Sequence, residues 1–364
     1  MKIGVLTFHR ALNCGAMLQA WALKTFLVRA GYDVGFIANH VGMRRRWHRF
    51  PKTGSALGRA LGCVLAIARN IGSFGCLDVA IKRFGEFQTM HLPEVELHNC
   101  DAIIVGSDQV WRAELTTEET LLFLGDSIDD NLPMISYAAS FGDRPPAEVE
   151  AIRLVRSLER YKTLSVREPL VKDVLSAFTK RDIAVVADPT LLIEANEYSH
   201  IAADVAPEEP YLFAYAVHAT PFFVGTARAA AKRLGLKLVM TAASQYTRWK
   251  APLGLTYGVS PDRMIGYLRG ARCVVASSFH GTVLSMLHGK PFVCLREDGV
   301  NAKSRPVSLL LRMGDVRRVV TPQSESTDVD SQLNEPVSAE VLSRLADFRS
   351  FSRNWLTHAL TSVA

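Results

Sequence analysis

Residues 272–295 read RCVVASSFHGTVLSMLHGKPFVCL, and this stretch decides the fold. The short apolar run Cys273–Ala276 is typical of a buried strand, and the apolar spacing within Thr282–His288 predicts a helix. Pro291 then opens a second apolar run, Phe292–Leu295, which predicts another strand. A strand, a helix and a strand in this order form a βαβ unit, the building block of parallel sheets.

The turn that joins the first of these strands to the helix is polar and contains Ser277, Ser278, His280 and Gly281. In open parallel sheets, ligands bind at this carboxyl edge of the strands. An imidazole beside free helix amides can hold an anion and move a proton, although His280 could instead simply cap the turn. We favour a functional site because Gly281 leaves room for close approach and two hydroxyls adjoin the ring.

Length and composition favour two folded domains. The chain has 364 residues, about twice the usual domain size, and 48% of them are hydrophobic, enough for two cores. The six cysteines are scattered without a CxxC pair, which predicts reduced thiols in a cytoplasmic protein and neither disulfides nor a zinc site. The histidines form no HExxH pair, so no metal site is indicated, and no apolar run approaches the roughly 20 residues of a membrane span.

Strands and helices alternate along the remainder of the chain, which predicts an α/β protein with parallel sheets covered on both faces. The first unit consists of a strand at Lys2–Phe8, a helix at Ala16–Ala30 and a strand at Val34–Ala38. The polar stretch Glu194–Pro210 is the best candidate for a linker, and Thr321–Pro336 is expected to be a polar, mobile connection. These boundaries predict an N-terminal Rossmann-like domain over 1–195, a C-terminal Rossmann-like domain over 208–335 and a final helix over 338–360.

Residues 41–83 interrupt this alternation. They contain nine lysine and arginine side chains against one acid, Asp78, among many aromatic and aliphatic residues. This composition predicts a helical insertion that is basic on one side and apolar on the other. Such a segment can approach an anionic membrane surface, which is a hypothesis; the alternative is a helical hairpin packed on its own domain. The net charge of the whole chain is +6, so its excess positive charge is concentrated here.

Five polar loop motifs each follow a predicted strand. Taken singly, each has a structural explanation: Asp108 could be a helix cap, Arg167 a surface residue and Asp188 part of a turn. Five polar loops on the same edge of two sheets instead predict a single cleft, because facing edges form one site. The motifs are FHRALNCGA (8–16), GSDQVW (106–111), SYAASFG (136–142), SVRE (165–168) with ADPT (187–190), and SSFHG (277–281).

In this order, the motifs resemble those of the polysaccharide pyruvyl transferase family, and the resemblance covers most of the chain. The chain departs from the commonest pattern at Cys14, where the family frequently has an aromatic residue. The resemblance implies two Rossmann-like domains facing a cleft, as in GT-B glycosyltransferases, with the last helix returning to the first domain. It also implies transfer of pyruvate from phosphoenolpyruvate to two hydroxyls of a sugar in a polysaccharide or its precursor, which forms a ketal and releases phosphate.

The donor is expected to be recognised through its charge. Phosphoenolpyruvate is a compact anion, and the planar fork of arginine matches both its carboxylate and its phosphate. The matching motif makes Arg167 the first candidate. The full set of donor-binding candidates is Arg167, Lys303 and Arg305, together with Ser278 and Gly281 of the central turn.

Proton transfer and acceptor binding involve the other candidates. Ketal formation requires protonation of the enol methylene, and His280 is the natural general acid because imidazole titrates near neutral pH. Asp108 is expected to act catalytically by orienting or deprotonating the acceptor hydroxyl, and His9 is a further candidate on the acceptor side. Asn13 and Gln19 are expected to hold sugar hydroxyls. This scheme requires neither a metal nor a cofactor, with phosphoenolpyruvate as the donor substrate.

Two other functions stay open at the level of the sequence. The first is a GT-B glycosyltransferase that uses a nucleotide sugar, although no Gly-rich loop for a diphosphate is evident. The second is a non-enzymatic basic protein that binds a membrane or nucleic acid. The confinement of positive charge to 41–83 and the lack of an RNP-like motif argue against nucleic acid. We expect a cytoplasmic enzyme of cell-envelope synthesis whose sugar acceptor is lipid-linked at the inner face of the membrane.

Overall fold

The computed structural model describes residues 1–38, 79–112, 121–125, 128–243 and 254–363, apart from the side chains of Val149 and Arg153. Most of the basic segment 41–83 lies outside the described residues, and with it the membrane-facing side chains of the hypothesis. Its last residues belong to a stretch that is helical over 79–91. No helix within the described ranges is both long enough and apolar enough to cross a membrane.

The first domain contains a sheet whose seven strands all pair in parallel. These are β1 (Lys2–Leu6), β2 (Asp33–Ile37), β3 (Glu94–Val95), β4 (Ala102–Val105), β5 (Met134–Ser136), β6 (Tyr161–Val166) and β7 (Ile183–Val185). Their spatial order is β3-β2-β1-β4-β5-β6-β7, so the chain starts inside the sheet and adds strands toward both edges. The carboxyl ends of all seven strands therefore point to one side.

Helices cover this sheet: α1 (Cys14–Arg29), α2 (79–91), α3 (Glu148–Leu158) and α4 (Pro169–Ser176). α1 begins where Asn13 caps it, because Asn13 Oδ1 accepts the backbone N–H of Gly15 at 2.9 Å. Every residue from Cys14 to Leu23 is buried, so this part of α1 is covered on all sides. The Sγ atom of Cys14 contacts the carbonyl oxygen of Val259 at 3.2 Å, which places α1 between the first domain and the second.

The second domain contains a five-stranded parallel sheet. Its strands are β8 (Tyr211–Ala216), β9 (Lys237–Ala242), β10 (Cys273–Ala276), β11 (Phe292–Leu295) and β12 (Val319–Val320). Their order is β12-β11-β10-β8-β9, and the central strands are buried along their whole length, as parallel strands between helical layers must be. The helices are α5 (Pro221–Arg233), α6 (Pro261–Gly270), α7 (Phe279–Leu287), α8 (Arg305–Met313) and α9 (Ser326–Asn334).

The central helix α7 begins three residues earlier than predicted, at Phe279 instead of Thr282. The reason is its cap: Ser278 Oγ accepts the backbone N–H of Gly281 at 2.9 Å. His280 therefore belongs to the first helical turn and is held by the helix backbone.

The prediction of a mobile polar connection over 321–336 is wrong. Helix α9 lies within it, and Val329 and Leu333 pack into the core of the second sheet. These two residues are four positions apart, so they form a short apolar stripe on an otherwise polar helix.

The last helix, α10 (Ala339–Thr361), returns to the first domain. Ser352 Oγ accepts the backbone N–H of Ala187 at 2.8 Å, and Arg353 Nε donates to the Leu192 carbonyl at 2.7 Å. The predicted fold, two Rossmann-like domains facing a cleft with a returning helix, is confirmed. The predicted domain limits themselves stay a prediction.

A buried arginine anchors the segment that leads into α10. Arg318 is 0% exposed, donates to Asp315 Oδ2 at 2.6 Å and lies over the ring of Phe292 at 4.8 Å. Its remaining N–H groups donate to backbone carbonyls, including those of Gln332, Glu335 and Pro336. One guanidinium thus binds the carbonyls at the end of α9 and just beyond it.

Candidate active site

A cleft of about 750 Å³ separates the carboxyl edges of the two sheets. Its walls combine strand ends and helix starts from both domains, where ligands bind in parallel α/β sheets. Five of the predicted site residues line it: Asn13, Asp108, Ser278, His280 and Arg305.

His280 is enclosed by the start of the helix in the opposite domain. The residue is 7% exposed, and it lies so close to Gly15 that a Cβ atom there would stand 2.1 Å from Nδ1 of the imidazole. A larger side chain at position 15 would displace the ring. The imidazole of the second domain is therefore positioned by α1 of the first domain.

Asp188 provides a buried negative charge next to this imidazole. Its Oδ2 atom lies 3.6 Å from Nε2 of His280 and accepts a hydrogen bond from Arg167 Nη1 at 2.8 Å. The other oxygen, Oδ1, accepts the backbone N–H of Thr190 at 3.0 Å. Burial alone would raise the pKa of the Asp188 carboxyl, but His280 and Arg167 hold that pKa well below its ordinary value. Asp188 is therefore an ionised carboxylate that faces the imidazole of His280.

Arg167 lies beneath the cleft and not on its wall. Its Nε donates to Glu168 Oε1 at 2.6 Å, and its guanidinium lies over the ring of Phe279 at 4.4 Å. Burial alone would lower the pKa of Arg167, but the carboxylates of Glu168, Asp188 and Asp108 raise it above its ordinary value. Arg167 therefore forms ion pairs with all three of these acids and holds their carboxylates in place. Its predicted contact with the donor stays a prediction.

Asp108 occupies a constrained position at the end of β4. Its φ angle of 72° lies in the left-handed region that non-glycine residues seldom adopt. Backbone hydrogen bonds hold this geometry, because the Asp108 carbonyl accepts the N–H groups of Val110 at 2.8 Å and Ser140 at 3.1 Å. Strained backbone of this kind is common at functional sites, and here it aims the Asp108 carboxylate at the cleft.

Arg305 closes the cleft from the second domain. Its Nε donates to Asp143 Oδ1 at 3.0 Å, and its Nη1 lies 3.8 Å from Asp108 Oδ1. Both carboxylates belong to the first domain, so these ion pairs bridge the two walls. An anion bound in the cleft would compete with Asp108 and Asp143 for this guanidinium.

Two of the predicted acceptor ligands turn inward instead. His9 is completely buried, stacks on Phe36 and places Nε2 3.1 Å from Glu94 Oε1. Burial lowers the pKa of His9, an effect that Glu94 opposes. The side-chain Nε2 of Gln19 donates to Thr7 Oγ1 at 2.8 Å, also in the interior. The structure thus brings neither side chain to the cleft, because both are used to hold the loop after β1.

Two of the predicted donor ligands also lie off the wall of the cleft. Lys303 is exposed, and its backbone N–H donates to Asn301 Oδ1 at 3.0 Å. Gly281 is buried, and its N–H is consumed by the cap at Ser278. Neither residue borders the cavity.

The structure brings into the site residues to which the sequence assigned no role there. Asp188 was visible within the ADPT motif, but its pairing with His280 depends on the meeting of the domains. A clamp holds the preceding residue on both sides: Ala187 donates its N–H to Ser352 Oγ, and its carbonyl accepts the Tyr137 hydroxyl at 2.9 Å. The returning helix therefore fixes the position of the Asp188 carboxylate.

Two parallel α/β domains that face a polar cleft, with a last helix crossing back, define the GT-B class of fold. A sequence profile described as polysaccharide pyruvyl transferase matches residues 13–299, which is most of the chain. The chain belongs to the polysaccharide pyruvyl transferase family, as its motifs predicted. No curated protein matches the chain.

Solved structures share the fold at low sequence identity. The UDP-GlcNAc 2-epimerase of Methanocaldococcus jannaschii, in complex with UDP-GlcNAc and UDP, is 11% identical with a TM-score of 0.50. The UDP-GlcNAc 2-epimerase of Neisseria meningitidis, bound to UDP-GlcNAc, is 10% identical with a TM-score of 0.50. In both comparisons, 100% of this chain and 100% of the other chain are covered. At such identities the similarity concerns the fold alone.

Proposed function

We propose that the protein transfers pyruvate from phosphoenolpyruvate to two hydroxyls of a sugar in a polysaccharide or its precursor. The proposal rests on His280, an imidazole placed between a buried carboxylate and the cleft in a chain of this family. A group in this position can deliver a proton to a substrate carbon while keeping its counter-charge close.

The reaction requires protonation of one carbon, two new C–O bonds, the loss of two hydroxyl protons and one leaving group. The methylene carbon of phosphoenolpyruvate takes up a proton and becomes a methyl group, which makes C2 electrophilic. Two sugar oxygens form bonds to C2, and the bond between C2 and the phosphate oxygen breaks. The two hydroxyl protons balance the new methyl group and the departing phosphate, so no oxidant or reductant takes part.

His280 supplies the proton in this scheme. As an imidazolium it has the ionised Asp188 beside it, with Nε2 3.6 Å from Oδ2. Its low exposure limits the competition of water for that proton. A positioned general acid contributes about 10²–10⁴-fold to a reaction rate.

Arg305 is the proposed ligand for a charged group of the donor. Its guanidinium lines the cleft and is paired with Asp143 and Asp108, which the donor anion replaces on binding. A hydrogen bond to a charged group contributes about 1.5–3 kcal/mol. The starts of α1 and α7 border the same cleft, and helix N-termini favour negative charge.

The acceptor sugar is assigned to the wall formed by the first domain. Once the donor has replaced it at Arg305, the Asp108 carboxylate can accept the proton of an acceptor hydroxyl. Asn13 lines the same wall, and its side-chain Nδ2 can donate to a second hydroxyl. The scheme thus divides the cleft, with acceptor groups on the first domain and donor groups on the second. A lipid-linked acceptor at the cytoplasmic side of the membrane is part of this proposal.

Phosphate release tests this function. The protein is incubated with phosphoenolpyruvate and a panel of lipid-linked and nucleotide-linked sugars, and the products are analysed by mass spectrometry. We expect acceptor-dependent phosphate release and a product that carries one pyruvate ketal. Transfer of a sugar from UDP-GlcNAc, without consumption of phosphoenolpyruvate, would establish a glycosyltransferase instead. That control is included because solved structures with this fold bind UDP-GlcNAc.

A further inference from the structure

A second groove, of about 740 Å³, lies at the far end of helix α8 from the cleft. Arg305 at the start of α8 lines the cleft, whereas Arg312 and Met313 at its end line the second groove. The other walls are the edge strand β7 and one face of α10. In volume this groove is nearly as large as the candidate active site, yet the proposed reaction does not use it.

The α10 wall of the second groove is aromatic. Phe351 is 51% exposed, Trp355 is partly buried and Phe348 forms the base. Aromatic side chains grouped in a concave site form an apolar patch of the kind that marks a ligand-binding groove. Flat aromatic faces of this kind stack on the apolar C–H faces of sugar rings.

The groove also contains an arginine, Arg312, that forms no ion pair with any described residue. The guanidinium of Arg312 lies 4.2 Å from the ring centroid of Phe348, and among the described residues no hydrogen bond or ion pair engages it. By contrast, the neighbouring Arg344 donates to Glu340 Oε1 at 2.5 Å and to the Met313 carbonyl at 3.1 Å. A guanidinium that lies over a ring, with its N–H donors unused, is prepared to bind a carboxylate.

Two acids complete the lining and restrict the choice of ligand. Asp182 and Asp347 stand in the same groove as Arg312 and Lys172. Burial of these carboxylates beneath an apolar partner surface is unfavourable, because each carboxylate would lose its hydration there. They readily accept hydrogen bonds from hydroxyls, which a saccharide supplies in number.

We propose that the second groove binds a saccharide that carries a carboxylate, with the sugar face on Phe351 and Trp355 and the carboxylate on Arg312. The identity of that carboxylate rests on the proposed function, since a pyruvate ketal places one on the acceptor sugar. Arg312 follows Arg305 by seven positions along α8, which is a rise of roughly 10 Å. The groove and the cleft therefore lie at opposite ends of one helix, and a saccharide held in the groove stays close to the cleft.

Direct binding measurements test the second groove without turnover. An oligogalacturonate, in which every ring carries a carboxylate, is titrated into the full chain by calorimetry, beside a neutral maltooligosaccharide of equal length. We expect the acidic oligosaccharide to bind and the neutral one to bind at least about tenfold more weakly. Arg312→Gln should weaken the acidic ligand by about tenfold, and Phe351→Ser should weaken both saccharides. The matched control Arg272→Gln changes an exposed arginine at the amino end of β10 and should leave binding unchanged.

Three results would overturn this assignment. Equal binding of the neutral and acidic oligosaccharides would remove the role of the carboxylate, and full affinity in Arg312→Gln would place the ligand elsewhere. Self-association of the wild type that Phe351→Ser abolishes, measured by sedimentation, would make the groove an interface between copies. Failure of the proposed function is separable, because a variant without turnover, His280→Asn, should still bind oligogalacturonate at wild-type affinity.

Discussion

Helices α1 and α7 both start at the cleft and begin at a polar cap, but they contribute different groups to the site. Each follows a parallel strand and begins at a polar cap, Asn13 for α1 and Ser278 for α7. The first turn of α7 carries an imidazole, His280, whereas the matching turn of α1 carries Gly15 and thus an empty space. The ring fills that space, so neither domain possesses a complete site alone. Repetition of a fold therefore need not repeat its chemistry.

The largest expected effect comes from removing the imidazole. His280→Asn keeps a polar side chain in the first turn of α7 and should reduce turnover by about 10²–10⁴-fold, because the general acid is lost. Phosphate release in steady state measures this, beside a melting curve. A variant that retains more than a tenth of the wild-type rate would reject His280 as the acid.

The next effect comes from filling the space on the opposite helix. Gly15→Ala puts a Cβ atom 2.1 Å from His280 Nδ1, so the ring must move and turnover should fall by roughly 10- to 100-fold. The matched control is Gly225→Ala in α5, where an added Cβ meets nothing within 4 Å and should stabilise the helix by about 0.5–1 kcal/mol. Equal activity of the two variants would show that the helix starts do not act together.

A smaller effect is expected from the support behind Asp188. Ser352→Ala leaves the buried N–H of Ala187 without its partner, which should cost about 1–3 kcal/mol of unfolding free energy. Because the clamp also positions the counter-charge of His280, the pH dependence of turnover should change as well. Ser352→Thr, which retains the hydroxyl, should restore the profile. Loss of stability with an unchanged pH profile would limit Ser352 to a structural role.

The smallest effect at neutral pH concerns the other end of α7, where a second imidazole stands. Burial lowers the pKa of His288 from 6.5 to about 4, although a hydrogen bond with the Leu284 carbonyl opposes this. As pH falls from 6.5 toward 4, His288 binds a proton in the unfolded chain but not in the native state, so the free energy of unfolding decreases. Below that window both states are protonated and this contribution is constant.

The measurement is denaturant unfolding across this pH range. The full shift corresponds to roughly 3 kcal/mol, and His288→Gln should flatten the pH dependence by up to that amount. His358→Gln, at an exposed position of α10, is the control and should retain the wild-type slope. If the free energy of unfolding depends on pH in the same way in all three proteins, protonation of His288 does not contribute to stability.

Much of the fold could be predicted because parallel strands buried on both faces appear as unbroken apolar runs. The strands at Cys273–Ala276 and Phe292–Leu295 have the predicted bounds. The start of α7 was missed because Ser277 and Ser278 both offer a capping hydroxyl, and only the backbone shows which one is used. Helix α9 was missed because just two apolar side chains mark its buried face.

The candidate site could be predicted only as far as topology determines it. Strand order places the loops with Asp108 and His280 at the carboxyl edges of their own sheets, which the sequence predicts, and the two facing edges form one cleft. The direction of each side chain depends on partners that are remote in sequence, such as Glu94 for His9, 85 residues away. Arg167 likewise points inward because its guanidinium binds Asp188, which lies 21 residues later in the sequence. No local pattern encodes such pairings.

The packing of His280 against Gly15 also determines where the imidazole of the proposed enzyme obtains its next proton. Each turnover spends the proton of the imidazole, and in the proposed balance that proton is made good by an acceptor hydroxyl. With the ring covered by α1, water has little access to it in the closed cleft. An imidazole screened from water in this way depends on the acceptor sugar for its next proton, so in the proposed scheme phosphoenolpyruvate without an acceptor leaves the enzyme discharged.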